Sequence, residues 1–362
     1  MKLSIRITTL SPIHIGTGAT LNRFSYVLHN GWLYLCKDEM VIQELERRNQ
    51  LAQYARLLPA GHNLKDVLRE LKVINDEFLK ACSYRRVQVS FNPKNELRLC
   101  LTDPLSGLPY IPGSSVKGAL RTGVLSRMWK GPELDDIVRR CPENIRKCRG
   151  NAIEGKLASA KIPATNNPQR DLMRLVKISD LHPKEPLVSE LVAVGLVHVR
   201  PEGYSFDDSL LIYVDTIPPD SVFEGSVNWD GFLAKMYLPG GNPESLFRIM
   251  MKRTAEHLEQ QHQRFQDAGL SRLGEYYGDL EGRGANIRLG WGTGWESITL
   301  GSMLSPTSRE KIGRLIRQRM RRRRHKETPV HGRNFPSTYK VFSDGDGPSG
   351  TLGWAKIELL EG

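Results

Sequence analysis

Residues 24 to 35, FSYVLHNGWLYL, constrain the fold most, because Asn30-Gly31 stands between two short apolar runs rich in β-formers. Asn-Gly accepts the positive φ angles of a tight type I′ turn, so the segment predicts a β-hairpin. A second hairpin is expected over VQVSFNPKNELRLCL, residues 87 to 101, turning at Pro93-Lys94-Asn95. Helical spacing is expected from Asp38 to about Leu58, from Leu64 to Ala81 and from Pro243 to Ala268. MKLSIRITTL opens the sequence as an alternating strand rather than a signal peptide, and LGWAKIELL reads as a closing strand. Strands that come in hairpins and alternate with helices predict an α+β fold with antiparallel sheets, not a doubly wound parallel sheet.

Within this frame YIPGSSVKGALRT, residues 110 to 122, marks a helix start. Pro112 and Gly113 end an extended run, Ser114 or Ser115 is a candidate N-cap, and Val116, Leu120 and Val124 recur at helical spacing. Ser114, Lys117 and Arg121 stand three and four apart, forming one stripe that leads away from the positive end of the helix dipole. That arrangement suits phosphate. A capped amphipathic helix with solvated cations accounts for the same stretch.

The chain of 362 residues carries 52 Lys and Arg against 40 Asp and Glu, a formal charge of +12 that points to a polyanionic partner. Its basic residues concentrate in residues 308 to 326, where Ile312, Leu315, Ile316 and Met320 form one apolar stripe. The remaining faces carry Arg309, Lys311, Arg314, Arg317, Arg319 and the run Arg321, Arg322, Arg323 and Arg324. Such a helix favours contact with phosphate or an acidic partner over a merely solvated face. In RLGWGTGW, residues 288 to 295, an extended backbone would set Gly290, Gly292 and Gly294 on one side and Trp291, Thr293 and Trp295 on the other. Bare amides and a tryptophan suit a nucleic-acid strand; a glycine-rich bend with core tryptophans is the alternative.

Five scattered cysteines give no disulfide framework and fit a reducing, cytoplasmic setting. The gap between Cys141 and Cys148 is too wide for the usual zinc spacing, no second pair lies nearby, and no metal is expected. Residues 130 to 171 are rich in Pro, Asn, Gly and charge and read as an insertion with partial helix.

Four stretches, SPIHIGTG (11 to 18), IPGSSVKGALRT (111 to 122), LMRLVKISD (172 to 180) and RLGWGTGW, followed by LGWAKIEL, resemble the RAMP superfamily of CRISPR effector subunits. The resemblance is greatest to the type III-A Csm subunits that cap the 3′ end of the guide RNA. It implies two ferredoxin-like, RRM-related units, the second degenerate: one over residues 1 to 185 with an insertion around 130 to 170, the other over 186 to 362. It implies crRNA, and in some positions target RNA, as ligand, and a backbone RAMP subunit and a small helical subunit as neighbours. A host nuclease for 3′ trimming is a further candidate partner; no cofactor, catalytic residue or membrane contact is implied. The RNA-contacting positions expected on this basis are His14, Gly16, Gly18, Ser114, Ser115, Lys117, Arg121, Arg174, Arg288, Gly290, Trp291, Gly292, Gly294 and Trp295, to which the charge pattern adds Arg321 to Arg324. Guide-processing endoribonucleases of the same superfamily use a histidine as general acid or base, which makes His14 the test residue for the alternative function. A filament subunit cutting target RNA would need an aspartate, for which Asp103, Asp171 and Asp180 are available.

Overall fold

The computed structural model describes residues 1–61, 63–93, 96–140, 171–200, 203–321, 335–343 and 347–360. In chain order the strands are β1 (Lys2–Thr9), β2 (Gly16–Leu21), β3 (Tyr26–His29), β4 (Trp32–Cys36), β5 (Ser83–Gln88), β6 (Leu97–Cys100), β7 (Val176–Ile178) and β8 (His182–Pro183). They continue with β9 (Glu190–Arg200), β10 (Gly203–Thr216), β11 (Val222–Trp229), β12 (Ile287–Arg288), β13 (Thr338–Ser343), β14 (Pro348–Gly350) and β15 (Trp354–Leu360). The helices are α1 (Asp38–Arg47), α2 (Leu51–Leu57), α3 (Leu64–Glu70), α4 (Asp76–Cys82), α5 (Gly113–Met128) and α6 (Gly131–Arg140). After these come α7 (Gly231–Tyr237), α8 (Pro243–Asp267), α9 (Ser271–Gly282), α10 (Trp295–Ile298) and α11 (Pro306–Arg321).

A first sheet runs β12-β15-β1-β11-β7, antiparallel at every pairing, with β8 added against β11. Its inward residues Ile5, Ile7, Phe223, Val227 and Ile357 meet Val116, Leu120 and Val124 of α5 and Leu246, Phe247 and Met250 of α8 in one core. Burying each such side chain contributes about 1.5–3 kcal/mol. Gly123 lets the two helices cross closely, since a Cβ there would stand 2.7 Å from the Met250 Cα. The elements β1, α5, β7, β11, α8 and β15 thus follow the order strand, helix, strand, strand, helix, strand around a four-strand antiparallel layer.

The second sheet runs β2-β6-β10-β9-β5-β4-β3, with β13 and β14 attached beside β9. Asn30 and Gly31, at φ 47° and 75°, make the expected β3–β4 turn. The hairpin expected over residues 87 to 101 does not form: the long β9–β10 hairpin inserts between β5 and β6, so that β5 lies parallel to β9 and β6 parallel to β10. This sheet is therefore mixed where an antiparallel one was expected. Leu97 and Cys100 are buried against their neighbours, and that burial outweighs the preference of a nearby turn. Both sheets take strands from either side of residue 185, where the resemblance implies a boundary between two units.

The helices α1 to α4 cover one end of the second sheet, packing Val41, Leu45, Leu68 and Phe78 against Val27 and Tyr34. The expected helix after Asp38 is two helices with a break after Arg48, where Asn49 takes a positive φ. Cys141, Cys148 and the rest of residues 141 to 170 lie outside the described residues.

Candidate nucleic-acid interface

After β12 the chain does not stay extended. Gly290, Gly292 and Gly294 hold φ of 85°, 85° and 83°, so the stretch curls and then opens α10 at Trp295. The alternation of bare and aromatic sides expected there is lost, because this left-handed region is open to glycine at little cost. The curl closes on two other segments. Trp291 N donates to His14 O at 2.8 Å, Leu289 N to Gly353 O at 2.8 Å, and Gly353 N to Pro12 O at 3.0 Å. A Cβ on Gly290 would stand 2.4 Å from His14 O, and one on Gly353 2.4 Å from Leu289 O. Residues 11 to 15, 289 to 292 and 351 to 354 form one backbone clasp.

Trp291 lies at the rim of this clasp. Arg98 of β6 and Lys340 of β13 each stand 5.0 Å from its ring centroid, and His14 meets it edge-on at 5.9 Å. Burial, and then Arg98, push the Lys340 ammonium below its ordinary pKa. Among the described residues no carboxylate pairs with Arg98 or Lys340; both lie against the Trp291 ring. Arg98 also lines a groove of about 480 Å³ with Thr20, Asn22, Arg23, Glu96, Leu211 and Ile212. Neither Arg98 nor Lys340 carries a motif in the sequence. Their only signal is a cation on the polar side of a short strand.

His14 is 2 % exposed. Its Nδ1 donates to Asp215 O at 2.7 Å, and since a carbonyl only accepts, Nδ1 carries the proton. Burial lowers its pKa, partly offset by that hydrogen bond and by the Asp215 charge. The Asp215 carboxylate in turn accepts from Arg85 at 2.7 Å and from Cys100 N at 2.9 Å. His14 is thus a neutral post that ties the clasp to the second sheet. Gly16 packs over it, and Gly18 is exposed on β2 with φ 84°.

The start of α5 is built differently. Pro112, not a serine, is the N-cap, and no side chain caps the helix. Gly113 N donates to Asp180 Oδ1 at 2.9 Å, so one amide of the expected anion site already holds a carboxylate. Ser114 is exposed and Ser115 N bonds Pro112 O. Arg121 forms an ion pair with Asp171, which also caps the short 3₁₀ turn at Leu172–Leu175. Lys117 is half-buried beside them and its pKa is lowered by burial against the pull of Asp171. Arg174 is exposed on that turn. Asp103 holds its own turn through Leu105 N and Ser106 N. Each of the three candidate aspartates is thus engaged by the chain itself.

Arg288 and Trp295 point inward. Arg288 donates to Leu352 O at 3.1 Å and Ser297 Oγ at 3.3 Å, and its guanidinium lies 4.4 Å over Trp354. Trp295 packs against Phe335 at 4.8 Å. In α11, Leu315 is buried, Ile312 packs on the core, and Arg309 pairs with buried Glu296. Arg321 ends α11; Arg322, Arg323 and Arg324 lie outside the described residues.

Comparison with known proteins places the chain in a family. The chain is 23% identical over 186 residues to "CRISPR system Cms protein Csm5" of Methanocaldococcus jannaschii, an alignment covering 50% of this chain and 43% of that protein. It is 25% identical over 197 residues to the protein of the same name from Streptococcus thermophilus, covering 50% and 51%. It thus spans about half the length of these curated relatives. Its fold matches a chain of a Csm–crRNA–target RNA ternary complex of a type III-A CRISPR-Cas system with a TM-score of 0.68 at 21% identity, covering 99% of this chain and 100% of that one. It also matches T. onnurineus Csm5, with a TM-score of 0.63 at 17% identity over 97% and 99%. The RAMP superfamily model matches residues 6–295, and with most of the sequence inside that match the chain belongs to the RAMP superfamily.

Proposed function

We propose that this chain is a non-catalytic RNA-binding subunit of a type III-A CRISPR effector, holding the 3′ region of the guide crRNA and capping the filament of backbone subunits. Target RNA, the backbone RAMP subunit and a small helical subunit are its partners in this reading, and a cytoplasmic setting goes with it. The observation that carries the reading is Trp291 on the backbone clasp with Arg98 and Lys340 against its ring: two cations without carboxylate partners among the described residues, beside a groove of nucleotide dimensions. The likeness to Csm5 proteins supports the assembly. The first sheet serves as one ferredoxin-like unit and the larger mixed sheet as the degenerate second.

His14 supports binding over cleavage, since a buried imidazole bonded to a carbonyl is poorly placed to take a proton from an RNA 2′-hydroxyl. The test is copurification from cells, with sequencing of bound RNA, followed by titration with single-stranded RNA. The expected result is guide RNA with other effector subunits, and an affinity falling with salt at a log-log slope of about −0.7 per phosphate contact. Cleavage of repeat RNA in chelator, lost in His14→Ala, overturns the reading in favour of a guide-processing endoribonuclease.

A further inference from the structure

The short helix α7, GFLAKMY, follows β11 after Asp230, whose Oδ1 accepts from Leu233 N at 2.9 Å and caps it. A helix of this length has one side to bury, and here that side is Ala234, continued by buried Leu238 and half-buried Leu233 and Tyr237. Phe232 and Met236 stand four apart on the remaining surface and are 73 % and 44 % exposed. Met1, 77 % exposed, joins them: a Cβ on Gly231 would stand 2.7 Å from its Sδ, so the Met1 side chain lies over the start of α7. Three of the ten large apolar side chains exposed among the described residues thus gather at one end of the first sheet. Single exposed apolar residues are ordinary, but a cluster rimmed by charge marks a contact surface.

The rim is basic. Lys2, Asn228 and Lys177 are direct neighbours across β1, β11 and β7, and both lysines are exposed. Lys235 is exposed beside Met236, and Arg174 is exposed on the 3₁₀ turn that packs against α7. Among the described residues the ammonium groups of Lys2, Lys177 and Lys235 have no carboxylate partner. This end of β1 is also far from the clasp: the strand leaves α7 at Met1 and the clasp begins at Ser11, about 30 Å of extended chain away. Two of the three apolar side chains are thioethers, which offer no flat face to a base and adapt readily to a protein surface. The apolar centre therefore favours protein over RNA, and the unpaired lysines around it favour an acidic one.

We propose that this end of the first sheet docks an adjacent protein subunit of the effector, one that presents apolar side chains to Phe232, Met236 and Met1 and carboxylates to Lys2, Lys177 and Lys235. The inference rests on the effector-subunit reading and adds to it the surface of contact. RNA is then held at one end of β1 and the neighbouring subunit at the other.

The experiment measures binding of the full chain to the purified backbone RAMP subunit of the same effector with guide RNA present, and separately the affinity of the chain alone for single-stranded RNA. Phe232→Glu with Met236→Glu is expected to weaken subunit binding about tenfold or more, while RNA affinity and melting temperature stay as they are. Lys2→Glu with Lys177→Glu is expected to weaken it too, by a margin that shrinks as salt rises. Unchanged subunit binding in Phe232→Glu with Met236→Glu overturns the inference, and so does a loss of RNA affinity in that variant, which assigns the patch to RNA. Should that variant fold poorly, the lysine pair decides in its place. An unsubstituted chain that binds no backbone subunit overturns the effector reading itself, and the inference with it.

Discussion

The start of α5 and the clasp around Gly290 both present glycines, cations and backbone amides to their surroundings, yet they use them in opposite ways. At α5 the chain answers its own charges: Asp180 takes the Gly113 amide and Asp171 takes Arg121. At the clasp the backbone amides are spent on joining three segments, while Arg98 and Lys340 are held against an indole ring. A cation packed on an aromatic face keeps its charge available; one paired with a carboxylate must give up that partner before it meets a phosphate. Similar residue types therefore make one region a support and the other a candidate contact surface.

The largest test of this contrast is steric. Gly290→Ala puts a Cβ against His14 O and strains a positive φ, and is expected to cost about 3 kcal/mol in urea unfolding. Gly118→Ala on α5 meets nothing within 4 Å and is expected to stabilise by about 0.5–1 kcal/mol. Equal effects would erase the distinction between clasp and helix. For RNA, Arg98→Ala with Lys340→Ala is expected to lower affinity about tenfold or more and flatten the salt slope by about 1.4, two contacts' worth. Lys117→Ala with Arg121→Ala should cost less in titrations under the same conditions; the reverse ranking would transfer the contact surface to α5.

The next test is pH. His14 and His257 have folded pKa values below 6.5, so the unfolded chain takes up protons first. Stability is therefore fully present above about pH 6.5 and is lost as pH falls below it, by up to about 1.4 kcal/mol per unit for each histidine. Urea unfolding at pH 7.5 and 5.5 measures this, and His14→Gln should remove its share; a flat profile would mean that neither ring is held neutral. Smallest is Asp171→Asn, which frees Arg121. RNA affinity is expected to rise about threefold with a salt slope steeper by about 0.7, and no change would mean that Arg121 faces no RNA at all.

Local signals in the sequence located local structure. The Asn30-Gly31 turn, β1, β15 and α8 all follow from periodicity and turn chemistry that neighbouring residues determine. The errors arose where a distant residue decides. Asp180, far along the chain, replaces a serine cap at Gly113, and the β9–β10 hairpin splits β5 from β6. Arg288 was legible as a cation near glycines, but its inward direction depends on Leu352, Ser297 and Trp354. Trp291 and His14 were found by pattern and do meet, while Arg98 and Lys340 join them only through strand placement in the second sheet.

The position of β1 between β11 and β15 has a consequence for the timing of synthesis. Lys2–Thr9 is made before every other described strand, but the strand that covers one of its edges, Trp354–Leu360, is made after all of them. Until then Ser4 to Thr9 keep an unpaired edge, a surface open to wrong strands and to chaperones. The same late stretch brings Gly353 to the clasp, so a chain still in translation has neither a closed first sheet nor a finished clasp. Nascent chains stalled shortly before residue 351 should therefore be protease-sensitive and unable to retain RNA, and release of the last strand should convert both properties together.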